Sequence, residues 1–285
     1  MPRRLALIPI AAITLAACQE AAEPTSFSLP DLARARVSGT ETRITTDATR
    51  HPYRPAISGD RIVWDDYRNA NSDVYLYDLS TGTETQLTSD PTGQLCADID
   101  GDRIVWDDDR NGNADIYMYD LSAHTETQIT SDPAHQVCPA ISGDRIVWAD
   151  FRNGKRDIYL HDLSTGSEAQ ITTDPEDQFH ADISGDRIVW LDNRNGHFDI
   201  YLYDLSTGAE TQITTRPYYS GVGPAISGDR IVWAQDWHVY LYDLSTGSET
   251  QITSEPWGQS PAISGDRIVW HDYRNGEGDI YLYDL

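Results

Sequence analysis

Cys96, Cys138 and His180 follow one another at intervals of 42 residues. Thiolate and imidazole are the donors that Zn²⁺ and copper prefer, and three protein ligands with an open fourth position make a catalytic arrangement. Asp98 and Asp182, each two residues beyond Cys96 and His180, would support such ligands from behind. Two other chemistries fit the same cysteines. In an oxidising compartment Cys96 and Cys138 pair, and the loop they close contributes about 4 kcal/mol on the chain-entropy account, provided their Cα atoms come within about 7 Å. Alternatively they stay as buried thiols, since cysteine is commonly a small core residue. The disulfide is the preferred reading of the three.

Equal spacing demands a scaffold that repeats. The string Gly-Asp-Arg-Ile-Val-Trp occurs six times, ending at Trp64, Trp106, Trp148, Trp190, Trp233 and Trp270. Each unit continues with Tyr-Leu-Tyr-Asp-Leu, then Ser-Thr-Gly, then Glu-Thr-Gln-Ile-Thr, or close variants. A period near 42 residues is that of a four-stranded propeller blade and too long for a leucine-rich repeat. In the second unit the pattern predicts strands over 97–99, 103–107, 116–121 and 126–130, with a tight hairpin around Asn111-Gly112. The last unit stops one strand short at Leu285, and residues 37–45 match the missing strand. The fold class is therefore all-β: a six-bladed β-propeller of four-stranded antiparallel blades over residues 37–285, closed by its N-terminal strand.

The six hexapeptides, the Asp-x-Arg-Asn-Gly-x-x-Asp-Ile-Tyr hairpin and the trailing Gln-Ile-Thr resemble the TolB-type (PD40, WD40-like) repeats of six-bladed propellers in bacterial envelope and archaeal surface proteins. The resemblance speaks for the fold; function must come from sites, because similar propellers serve as scaffolds, lyases and peptidase-gating domains. It also supplies an analogue for the metal reading, since oligogalacturonate lyases use a metal on a similar propeller.

Ahead of the repeats, residues 1–17 carry a short basic start at Arg3 and Arg4 and an apolar run too short to span a bilayer, which reads as an export signal. Leu15-Ala16-Ala17-Cys18 resembles the lipobox of bacterial lipoproteins, which implies lipidation of Cys18. Residues 18–36 then form a flexible tether, and the expected location is the cell envelope, anchored at the outer membrane. The 46 acidic residues against 21 basic ones give a formal charge of −25, a field that repels nucleic acid. Much of this charge is periodic, written once per blade.

Compared with one another, the six copies differ mainly in the second-to-third-strand hairpins and the crossovers between blades, which share one face of the disc. Aligned crossovers form a column of Arg54, Cys96, Cys138, His180, Gly223 and Ser260, expected at the mouth of the central channel. The fifth unit lacks the Arg-Asn-Gly hairpin: Trp233 to Tyr240 is 7 residues, against 11 elsewhere. Around that notch stand Tyr218, Tyr219, Trp237, His238 and Trp257, with Phe179 and His180 nearby, a set suited to stacking on sugar rings or anchoring a protein. The hairpin acids, Asp66 to Asp272 and Asp73 to Asp279 in five units, offer oxygen ligands for Ca²⁺, but the arginine in every copy favours a structural role. Nucleophile-elbow, His-Glu-x-x-His and phosphate-loop motifs are absent. The expectation is a monomeric, non-enzymatic binding or scaffold propeller for a protein or glycan, without a resident cofactor. The alternative is a metal-dependent, polysaccharide-lyase-like enzyme with Zn or Cu held by Cys96, Cys138 and His180.

Overall fold

A computed structural model describes residues 39–45, 52–215 and 222–285. Their strands form six four-stranded antiparallel sheets, the blades of a propeller. Blade 2 is representative, with strands Gln94–Asp100, Arg103–Asp108, Asp115–Asp120 and Thr125–Gln128 from the channel outward. Blade 6 is assembled from both ends of the ring: Gly258–Ser264, Arg267–Asn275, Glu277–Asp284 and, outermost, Thr40–Arg43. Thr40 pairs with Asp284 and Arg43 with Tyr281. Thr45 extends the closure, its hydroxyl accepting the Ile280 N–H at 2.9 Å.

The blades cohere because the second and third strands bury both faces. Ile104, Val105 and Trp106 of blade 2 are fully buried, as are their counterparts in blades 1, 3, 4 and 6. Each buried tryptophan stacks on the tyrosine across the strand pair, Trp106 on Tyr117 with centroids 6.3 Å apart, a geometry aromatic pairs favour.

The conserved-looking hairpin acids are absorbed by this packing. In blade 2 the Trp106 indole N–H donates to Asp108 at 3.2 Å. Arg110 also donates to Asp108, at 2.5 Å, and reaches Glu126 at 2.6 Å while lying over the Tyr117 ring. Asn111 donates to Asp115 at 3.1 Å and to the Tyr117 hydroxyl at 2.8 Å, and Gln128 closes the set on Asp115 at 3.0 Å. Tryptophan, aspartate, arginine, asparagine and tyrosine thus form one network in each of blades 1, 2, 3, 4 and 6, which is why they recur together.

A second repeated device joins the blades. Arg61 of blade 1 donates to Gly101 O at 2.9 Å and to the Asp102 carboxylate of blade 2. The same contact recurs round the ring and ends with Arg267 reaching Gly59 O at 3.0 Å and Asp60 at 2.6 Å. The Gly-Asp-Arg of every hexapeptide is a clasp between neighbours. Each pair is partly exposed and individually weak; the geometry fixes blade spacing at one face of the disc.

The inner strands are longer than the sequence pattern predicts, because they carry a β-bulge. Register shifts between Leu95 and Asp98 in blade 2, and at matching positions in blades 1, 3, 4 and 6. The bulge lets an apparently short strand start three residues earlier and re-aims one side chain per blade.

Candidate functional site

The bulged residues are the column read from the aligned crossovers. Arg54, Cys96, Cys138, His180 and Ser260 all have φ between 47° and 54°, the left-handed region that non-glycine residues occupy only when surrounding structure holds them there. With Gly223 they line a cavity of about 130 Å³ at the channel mouth. At Gly223 a Cβ would lie 2.5 Å from His180 Cβ and 2.9 Å from its carbonyl oxygen, so only glycine lets blade 5 pass this close to blade 4.

Cys96 and Cys138 meet as a disulfide with Cα atoms 4.8 Å apart, well inside the reach such a bond requires. Arg54 caps the pair from blade 1, its guanidinium donating to Sγ of Cys96 and, at 3.0 Å, to Sγ of Cys138. The third metal-type donor beside the sulfurs is Asp107 and not His180: donor atoms of Cys96, Asp107 and Cys138 lie within 4.8 Å of one another. His180 instead sits against Phe179, ring centroids 5.1 Å apart.

Asp107 and Asp65 occupy the position after the blade tryptophan, where blades 3, 4 and 5 carry Ala149, Leu191 and Ala234. Each reaches under the neighbouring column residue: Asp65 accepts the N–H groups of Cys96 and Ala97 at 2.9 and 3.1 Å, and Asp107 that of Cys138 at 3.0 Å. They hold the strained bulges in place. Burial pushes Asp65 up to about 6 despite those hydrogen bonds and the Arg54 charge. It pushes Asp107 up to about 8, helped by the nearby Asp65. Deeper in the channel, burial raises Asp98, with the Asp182 charge adding to it, and lifts Asp182 to about 7.

The face around this mouth carries the aromatics. Among the described residues the exposed large apolar side chains are Tyr67, Phe151, Trp237 and Trp257, all on the second-to-third-strand hairpins or a crossover. Asp236 and Trp237, with φ of 52° and 67°, make the two-residue turn that replaces the longer hairpin in blade 5. Gly258 donates to Trp237 O at 2.8 Å, which sets Trp257 beside Trp237. Gly258 is required there, since a Cβ would lie 2.9 Å from Val239 and 3.2 Å from Trp270.

Not every residue expected on this surface presents itself. Phe179 is buried, packed edge-on against Phe198 and under the Arg156 guanidinium at 3.9 Å, so it builds the face instead of displaying it. His238 takes the place of the network aspartate of other blades and contacts Gln251 at 3.1 Å. Trp237 and Trp257 are exposed. Tyr218, Tyr219 and Cys18, with the signal and tether segments, lie outside the described residues. The sequence reading misses Asp65, Asp107, Tyr67 and Phe151. The available signal was the polar residue after the blade tryptophan in three blades, Asp65, Asp107 and His271, against alanine or leucine in the others, and an aromatic residue in the hairpin.

The family model for the TolB beta propeller domain, PD40, matches residues 21–236. No curated protein matches the chain. TolB from Acinetobacter baumannii superposes with TM-score 0.67 at 21% identity, over 78% of this chain and 59% of that one, so the chain spans less than two thirds of that protein. A TolB-type structure from Agrobacterium tumefaciens gives 0.63 at 20% identity, over 83% and 91%. An oligogalacturonate lyase in complex with manganese gives 0.57 at 17% identity, over 86% and 93%. At such identities the likeness concerns the fold. With the family model matched over most of its repeats and the ring closed at six blades, this chain belongs to the TolB beta propeller family.

Proposed function

We propose that the protein is an exported, lipid-anchored binding module of the bacterial envelope, which holds a protein or glycan partner on its loop face without catalysing a reaction. One observation carries the reading. The exposed large aromatics, Tyr67, Phe151, Trp237 and Trp257, lie on a single face, and one of them is kept in a backbone conformation that glycine would fill at lower cost. The opposite face consists of the repeated Gly-Asp-Arg clasps, whose groups are committed to one another. Export and anchoring rest on the Leu-Ala-Ala-Cys18 sequence. The test is crosslinking in cells with wild type and a Trp237→Gly, Trp257→Ala double variant, together with a glycan array for the purified pair. Loss of the same partners or glycans from the variant is expected. An unchanged set in both assays sinks the proposal.

A metal-dependent enzyme draws on the proximity of Cys96, Asp107 and Cys138 and on the likeness to a manganese-bound lyase fold. The residues do not fit a metal centre in this arrangement. A guanidinium donates to both sulfurs, a cation would have to displace it, and the sulfurs are bonded to each other. Elemental analysis with thiol titration separates the two readings: a stoichiometric metal with two titratable thiols would favour the enzyme.

A further inference from the structure

Among the described residues, Arg54 is the one arginine without a carboxylate partner. The hairpin arginines, from Arg68 to Arg274, and the clasp arginines, from Arg61 to Arg267, each hold an aspartate or glutamate, and so do Arg43 and Arg156. Asp65 and Asp107 feel the charge of Arg54 but stand outside ion-pairing distance. Its guanidinium donates instead to the sulfurs of Cys96 and Cys138, the latter at 3.0 Å. A disulfide sulfur is neutral and a weak acceptor, so the bridge gives a full cation little in return. A thiolate in the same place would accept a charge-assisted hydrogen bond. The cation is thus matched to the reduced pair better than to the bridge it now caps.

The geometry of the seam does not require the bridge. Blades 2 and 3 are already joined by Arg103, which donates to Gly143 O at 3.1 Å and to Asp144 at 2.7 Å. Asp98 accepts the Ile141 N–H at 2.7 Å and Asp107 that of Cys138 at 3.0 Å. The other seams, with Arg54, His180, Gly223 and Ser260 in the same column, close without a sulfur link. Both cysteines are partly exposed and line the channel-mouth cavity together with Arg54. At about 130 Å³ that cavity is smaller than a drug-sized site, which restricts a reactant to a small molecule.

We propose that Cys96–Cys138 is a redox-active disulfide that exchanges with small thiols and dithiols at the channel mouth, Arg54 stabilising the thiolate that is released. The exchange goes beyond partner binding on the loop face and does not depend on it. A small thiol, its proton lost to solvent, attacks one sulfur; a mixed disulfide forms, the Cys96–Cys138 bond breaks, and the electron pair leaves on the other sulfur, beneath the guanidinium. With a dithiol, the second thiol group then attacks the mixed disulfide. The chain has taken up two electrons as a thiolate and a thiol, the dithiol departs as its disulfide, and one proton has gone to solvent. The exchange is stoichiometric, one dithiol per chain.

The test treats the folded, full-length chain with 2-mercaptoethanol, glutathione or dithiothreitol and follows the fold by circular dichroism. Alkylation is read at Cys96 and Cys138 by peptide mass spectrometry, which counts Cys18 apart. Reduction of the pair with the propeller signal unchanged is expected. In the reduced chain at least one of the two thiols should alkylate with an apparent pKa about one unit or more below the ordinary thiol value of about 8.5. Arg54→Gln should return that value towards the ordinary one and slow exchange with dithiothreitol about threefold or more, whereas Arg54→Lys, which keeps the charge, should retain most of the acidity and the rate. The wild-type readouts decide even where a variant fails to fold. A bridge reduced only with loss of the propeller signal, ordinary thiol acidity in the wild type, or an unchanged pH profile and rate in a folded Arg54→Gln would overturn the assignment and leave the bridge a structural link.

Discussion

The indole N–H of Trp190 donates to the Asp192 carboxylate at 3.0 Å, whereas Trp233, one blade further on, buries the same N–H with no acceptor. The shortened hairpin of blade 5 puts Gln235 where the others have aspartate, so the network loses its first link. Trp190→Phe removes a hydrogen bond and leaves Asp192 one donor short, while Trp233→Phe removes only an orphaned donor. Urea unfolding should show Trp190→Phe costing more than Trp233→Phe by about 1 kcal/mol.

Trp237 offers a sharper separation of stability from recognition. Its left-handed φ of 67° is strained for a bulky side chain, and half of that side chain is exposed. Trp237→Gly should stabilise the fold by about 1 kcal/mol in chemical denaturation. A loss of stability would show that the ring is a packing element of blade 5 and not a contact for a partner.

Asp107 makes stability fall as the solution becomes basic. Its folded-state value near 8 lies above the ordinary 3.8, so the folded chain keeps a proton that the unfolded chain has released. That contribution is complete below about pH 4 and is lost as pH rises towards 8. Asp107→Asn retains an acceptor for the Cys138 N–H and should unfold about 1 kcal/mol later than wild type at pH 8.5, with the gain shrinking towards pH 5. Asp66 acts in the opposite sense: burial works against its charge, but Arg68 and Trp64 hold it below the usual range, so its contribution disappears in acid.

His271 is buried in blade 6, and neither of its ring nitrogens has a partner. Burial drops it to about 4, so the unfolded chain takes up a proton from about pH 6.5 downward that the folded form refuses. Leu191 fills the equivalent position in blade 4. His271→Leu should therefore raise stability by about 1 kcal/mol at pH 7, and by more at pH 5, in thermal or urea unfolding.

The Cys96–Cys138 link spans 42 residues and joins adjacent inner strands. Replacing both cysteines with alanine should lower unfolding free energy by about 4 kcal/mol on the chain-entropy account, and the oxidised wild type should show no thiol at either position to an alkylating reagent. Equal stability of the two forms would show that the clasps and the outer closing strand hold the ring without it.

Most of the scaffold is legible in the sequence because it is written several times over. Period, strand order, the closing role of the segment containing Thr40–Arg43 and the channel-mouth column all follow from aligning one chain with itself. The bulges do not, since no local rule assigns a left-handed φ to Arg54, Cys96, Cys138, His180 and Ser260. Their conformation is imposed from the neighbouring blade, visibly so where Asp65 and Asp107 grip the backbone. Those two acids are hidden by their neighbours Asp66 and Asp108, which repeat and so attract the structural explanation. Phe179 is misjudged for a related reason: an aromatic residue in a crossover reads as surface until Phe198 and Arg156 close over it.

The closing strand also sets direction. Thr40 pairs with Asp284, the end of the third strand that adjoins the Gly-Asp clasps, and Arg43 pairs further towards the hairpins. The backbone therefore joins the disc from its clasped side. Tension applied at Gly39 is borne by an outer strand held by a few rungs and by Thr45. The aromatic rim lies at the other end of the same strands, on the face opposite the clasps.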